Sequence, residues 1–179
     1  MDDGGSGETI MKYSLLVVSA ALCCCVVSCK GGVNDEGSAM REKITASPKM
    51  VRFLGADVVE ILQAPERIES YRVGMRKSRQ GDTIGGYPVL GRGPALSAAQ
   101  VTQLASLLLD EHSYLFDVVK KCLFLPEYAF RAVRGGKNVV VLICFSCEEL
   151  LFVYENREIL EDFDRITPKV RTLIAELFN

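Results

Sequence analysis

YAFRAVRGGKNVVVLICFSCEELLFVY, residues 128–154, is the stretch on which the fold turns. It reads as three β-strands, Tyr128–Val133, Val139–Cys144 and Leu150–Tyr154, in an antiparallel meander. Gly135-Gly136-Lys137-Asn138 supplies the first turn, since paired glycines admit the positive φ angles of a tight hairpin. The run Val139-Val140-Val141-Leu142-Ile143-Cys144 is apolar at every position, so both of its faces must be covered. It belongs in the middle of the sheet.

Working outward, Pro168 to Phe178 reads as the last helix. Thr167 is its expected cap, Pro168 suits the first turn, and Val170, Leu173, Ile174 and Leu177 share a face. Upstream, Ala98 to Asp110 is the clearest helix. Ser97 and Gln100 form a capping-box pattern, and Val101, Leu104, Ala105 and Leu108 make an apolar stripe. Ser47-Pro48 opens another helix through Leu54. Val58 to Leu62 continues as a helical turn or a short strand until Pro65 stops it. Arg67 to Val73 reads as a strand, Gly74 to Gly81 as a polar hairpin loop, and Ile84 to Leu90 as an edge strand containing Pro88. The pattern is α+β, an antiparallel sheet with a three-strand C-terminal meander, packed by two to three helices.

The N-terminus is of another kind. Lys12 is followed by an apolar run, Tyr13 to Val27, and then by Ser28-Cys29. A positive start, a core of about 7–15 apolar residues and a small residue at the cleavage site make an export signal, whereas a spanning helix needs roughly 20 apolar residues. Met1 to Ile10 is acidic, has no Lys or Arg and fits a positive start badly, which leaves Met1 and Met11 both open as the translation start. Val26-Val27-Ser28-Cys29 resembles the lipobox of bacterial lipoproteins. That resemblance implies cleavage between Ser28 and Cys29, a lipid on Cys29 and a place in the cell envelope. It further implies the outer membrane if the cell has one, because Lys30 follows. Residues 1–28 are then signal, 29–45 a lipidated cysteine with a Gly-, Ser- and charge-rich tether, and 46–179 a single domain.

Composition limits the partners. The chain has 21 basic and 23 acidic residues. Lys12, Asp2, Asp3 and Glu8 precede Cys29, which leaves 20 of each sign after it. A neutral mature chain argues against nucleic acid and against a broad electrostatic hold on a membrane. The membrane partner is expected only through the lipid at Cys29, and the sequence does not identify a protein partner.

Three thiols beyond Cys29 remain: Cys122, Cys144 and Cys147. If the first hairpin turns at Gly135-Gly136, opposed residues sum to about 271–272. Cys147 then lies opposite Phe124 or Leu125, and all three thiols collect at one end of the sheet. Three readings follow. One is structural: a disulfide from Cys122 to Cys144 or Cys147, or simply buried small side chains. The second is zinc held by Cys122, Cys144, Cys147 and His112. The third is a redox pair, Cys144 and Cys147, although active dithiols usually open a helix and this pair joins two strands. Cys122-Leu-Phe-Leu-Pro126, Phe130-Arg131, Gly135-Gly136 and Ile143-Cys-Phe-Ser-Cys-Glu-Glu-Leu150 resemble a segment of small uncharacterised bacterial proteins, often exported. The resemblance covers the C-terminal half and implies a fold, not an activity.

Other signals read as ordinary surface. His112 follows a helix end near the negative pole of its dipole and has no partner for catalysis. Arg72, Arg76, Lys77 and Arg79 read as a solvated hairpin tip. Gly85-Gly86 and Gly91-Arg92-Gly93-Pro94 read as turns. Glu155, Glu158, Glu161, Asp162 and Asp164 lack the spacing of a calcium loop and read as a charged connector. The expectation is a non-catalytic, lipid-anchored interaction or structural protein without a cofactor. The alternative is an envelope thiol–disulfide or zinc-binding protein using the cysteine cluster.

Overall fold

A computed structural model describes residues 44–116 and 118–178. The signal, Ser28, Cys29 and nearly all of the tether lie outside the described residues. Among those described, seven strands form one antiparallel sheet in the order β2 (Thr83–Ile84), β3 (Tyr87–Arg92), β1 (Arg67–Val73), β4 (Tyr128–Arg134), β5 (Lys137–Cys144), β6 (Glu149–Tyr154), β7 (Arg157–Asp162). The fold is α+β. The meander is present as β4 (Tyr128–Arg134), β5 (Lys137–Cys144) and β6 (Glu149–Tyr154). Its first register runs from Tyr128 opposite Ile143 to Arg134 opposite Lys137, and Gly135 and Gly136 turn it at φ 54° and 77°. Each pair sums to 271, the lower of the two values the turn implied.

A fourth strand, β7 (Arg157–Asp162), extends the meander where the sequence suggested a connector. The acids hid it. As the last strand, β7 leaves Glu158 in solvent while Ile159 packs on the core and Asp162 is buried. Its turn carries Glu155 at φ 52°, a position usually signalled by glycine or asparagine.

On the other side, β1 (Arg67–Val73) pairs with β4 and with β3 (Tyr87–Arg92). The expected edge strand from Ile84 to Leu90 is broken at Gly85-Gly86 into β2 (Thr83–Ile84) and β3. Gly85 lies directly on the sheet. A Cβ there would sit 2.8 Å from Leu142 Cδ1 and 3.3 Å from Val140 Cγ1, so only glycine fits the approach. The arm from Gly74 to Gly86 is thus folded over the sheet rather than projecting as a tip. Lys77 pins it by an ion pair to Glu158 of β7, 2.5 Å away. Tyr71, Val73, Ile84, Tyr87, Val140 and Leu142 form the core of this covered face, with Phe124 packed against it. That is why β5 is apolar on both sides.

The helices cover the opposite face. There are four among the described residues, more than the two or three expected. The N-terminal segment is two helices, α1 (Pro48–Leu54) and α2 (Ala56–Gln63), separated by Gly55 at φ 93°. Ser47 caps α1 by accepting the Met50 N–H at 3.3 Å. Both halves of the capping box form at α3 (Ala98–Leu109). α4 (Thr167–Phe178) departs from expectation at its start. A 3₁₀ turn, Asp164–Ile166, runs into it, so Thr167 is already helical and its hydroxyl bonds back to the Phe163 carbonyl instead of capping. Leu54, Leu62, Leu108, Phe130, Phe152 and Leu173 are central to this core. Ile44, placed by sequence in the tether, packs against it, and its carbonyl accepts a bond from Gln63. The domain therefore begins at least two residues before the expected boundary at 46.

Two arginines bind Glu69 across the covered face. Arg131 donates to Glu69 Oε2 and to the Tyr71 hydroxyl, both at 2.6 Å, and Arg67 donates to Oε1. Burial pushes the Glu69 carboxyl up, but the bonds from Tyr71, Arg67 and Arg131 outweigh it and hold the group at about 2.

Candidate functional site

The cysteines meet at one end of the sheet, where β5 ends and β6 begins. Strand parity separates their roles. Cys144 shares the face of Val140 and Leu142, so its side chain turns inward and is fully buried. Its sulfur accepts the Leu125 N–H at 3.4 Å and lies 3.3 Å from the Ser146 hydroxyl. Cys147 follows in the turn and forms a disulfide with the exposed Cys122, Cα–Cα 5.8 Å. Of the two pairings open from sequence, the structure has Cys122–Cys147, with Cys144 free.

That arrangement bears on the other readings. The Cys144–Cys147 redox pair is not formed, because Cys147 in the turn is bonded to Cys122 and Cys144 is buried as a free thiol. The four expected zinc ligands are not gathered either. His112 sits in the 3₁₀ turn after α3, its N–H bonded to Asp110 and its carbonyl to Arg165. Among the described residues no three His, Cys, Asp or Glu side chains are placed to hold a metal ion. His112 lines a groove of about 460 Å³ with Ser47, Thr102, Ser106, Asp110 and Glu111, and Ser47 donates to Glu111 there.

Sequence reading missed the ionic lock beside the disulfide. Lys120 Nζ lies 2.6 Å from Asp162 Oδ2 and 2.5 Å from Asp164 Oδ1, and donates to the Cys147 carbonyl at 2.8 Å. Asp162 is 3% exposed. Its Oδ1 accepts the Asp164 N–H, while its Oδ2 is held by the ammonium charge rather than by an aligned hydrogen bond. Burial pulls the Lys120 ammonium down, but the carboxylates of Asp162 and Asp164 outweigh it and raise it above its ordinary value. The lock is invisible in the sequence because Lys120 and Asp162 lie 42 residues apart and the acids of β7 read as a charged connector.

Glu149 stands opposite Asp162 in the ladder, 6% exposed, with Oε2 unpartnered among the described residues. Burial raises its pKa, with Lys120 opposing and Asp162 and Glu161 adding. A carboxyl raised on folding is at a loss once it ionises. The native state therefore loses stability as pH rises from the ordinary carboxylate value through the raised one. Glu149→Gln is expected to stabilise the protein at pH 7 by about 1 kcal/mol, with the gain vanishing below pH 4. Urea unfolding at the two pH values checks this; a gain equal at both would refute it.

Around the corner from the disulfide, α4 and the sheet end enclose a trough of about 400 Å³. Tyr128, Phe145 and Phe178 line it with their rings, and Arg72 and Arg171 stand over them. Arg171 lies 4.3 Å from the Phe145 centroid and Arg72 5.5 Å from that of Phe178. Glu127, on the wall, accepts the Phe145 N–H at 3.0 Å. Arg72 was grouped by sequence with a hairpin tip; the β1 bulge after it separates it from Lys77 and turns it to α4.

No helix among the described residues is long and apolar enough to cross a membrane. No family model, curated protein or solved structure matches the chain.

Proposed function

We propose that the protein is a lipid-anchored, non-catalytic interaction module of a bacterial cell envelope, held to the membrane through Cys29. The observation that carries this reading is the Cys122–Cys147 disulfide. Such bonds persist in oxidising compartments and are rare in the cytosol. An export signal and an oxidised cysteine pair are independent features that point to the same side of the membrane. The aromatic trough beside α4 supplies a surface for a partner.

Growth with a labelled fatty acid tests the anchor. The wild-type chain is expected to take up label and to fractionate with membranes, and Cys29→Ala to lose both. A wild-type chain without label would overturn the anchoring.

A further inference from the structure

We infer that the trough between α4 and the β1–β4 end of the sheet docks a short peptide segment carrying a carboxylate beside a bulky apolar side chain. The inference rests on reading the chain as an interaction module, and deepens it by naming the partner's chemistry.

Three observations carry it. The first is charge. Arg72 and Arg171 each give one N–H to a backbone carbonyl, of Phe178 at 3.1 Å and of Phe145 at 3.4 Å. Neither has an ion pair among the described residues, and Glu127 in the lining gives Oε2 to the Phe145 amide, so the lining carries two cations against one carboxylate. A guanidinium has five donors in a planar fork, so each keeps donors for an incoming carboxylate. Both are exposed at the surface.

The second is the floor. Phe145, Tyr128 and Phe178 present ring faces and edges, with Tyr128 touching both neighbours at centroid distances of 6.1 and 5.1 Å. Aromatic side chains with arginine above them are the residues that carry binding energy at protein interfaces. The Phe145 ring is held on three sides, by Arg171, Tyr128 and Phe163, so the floor is formed before anything binds.

The third is continuity. Over Arg72, Glu127 and Tyr128 the trough runs into a second hollow of about 280 Å³, walled by Val73, Met75 and Leu90. Leu90 is 71% exposed and Met75 56%. Two large apolar side chains left in water next to two cations without an ion pair among the described residues fit an occupant that is both apolar and acidic. A purely apolar segment would leave the guanidiniums desolvated and unpaired, which is costly. A basic one would be repelled.

The experiment uses the full-length protein in detergent, immobilised and probed with a positional-scanning hexapeptide library. The expected consensus is Asp or Glu adjacent to a large apolar residue, preferred at least about tenfold over the Asn or Gln counterpart, the size of one charge-assisted hydrogen bond. Arg72→Gln with Arg171→Gln should abolish the acidic preference and keep the apolar one. Met75→Ser with Leu90→Ser should do the reverse. All these side chains are exposed, and an unchanged urea midpoint verifies that each variant folds. No consensus, a basic consensus, or an acidic consensus that survives the double arginine variant would overturn the inference. So would arginine-dependent binding of Cys29→Ala protein to phosphatidylglycerol vesicles without any peptide preference, which would assign the trough to lipid. Failure of fatty-acid labelling would leave the library result untouched, so anchoring and docking fail separately.

Discussion

Lys120→Met should destabilise the domain by about 3 kcal/mol at pH 7. Removing the ammonium leaves Asp162 almost wholly buried with only the Asp164 amide to bond its charge. Breaking a buried ion pair from one side costs roughly 3–5 kcal/mol; Lys120 itself is 22% exposed, so water replaces part of it and the lower end applies. Asp164 also loses its cation, and Lys120 is what holds that carboxyl below its usual range against burial. The pair as such is expected to add little. Adding Asp162→Asn to the Lys120→Met variant should recover at least half of the loss, because the neutral amide keeps the Oδ1 acceptor and carries no charge to bury. Urea unfolding of the three proteins measures this. A Lys120→Met loss within 0.5 kcal/mol of zero would mean the lock is a solvated surface pair.

The Cys122–Cys147 bond should contribute about as much, through the unfolded chain. It closes a loop with a sequence separation of 25, which removes about 3 kcal/mol of denatured-state entropy. It also ties down a stretch with little regular structure, from Val118 to Glu127, whose Phe124 packs edge-on against Tyr87 over the covered face. Replacing both cysteines by serine avoids a mispairing with Cys144. The double variant is expected to unfold at lower urea by that amount and to make Cys144 reactive toward a maleimide under native conditions. In the wild type Cys144 should label only after denaturation, since it is fully buried. Equal stability with and without the bond, or a wild-type Cys144 that labels at once, would refute this account. The disulfide and the ion pair hold the same segment 2 residues apart at Lys120 and Cys122, so their losses should not add independently.

Local patterns were the legible part of the chain. The hairpin at Gly135-Gly136 could be placed because glycine accepts its positive φ angles without the strain a side chain brings. From that one turn the β4–β5 register followed, as did the gathering of the cysteines. The box at Ser97 and Gln100 marked the start of α3 because both partners lie within one turn. Where charge contradicted the pattern, reading failed: β7 looked like a connector because it is rich in acids, of which Glu158 faces water and Asp162 is buried against Lys120. Thr167 looked like a cap because nothing local announces that a 3₁₀ turn precedes it.

By itself, then, the sequence determined the α+β class, the central place of the Val139–Cys144 strand, and which end of the sheet holds the thiols. These follow from periodicity and turn chemistry, which act over a few residues. Only the tertiary structure decided that Cys122 bonds Cys147 and leaves Cys144 inside, that Lys120 meets Asp162, and that Arg72 and Arg171 share one trough with Phe145 and Phe178. The physical reason is distance along the chain. Each of those contacts joins segments distant in sequence, and a pattern read locally has no access to which of them meet.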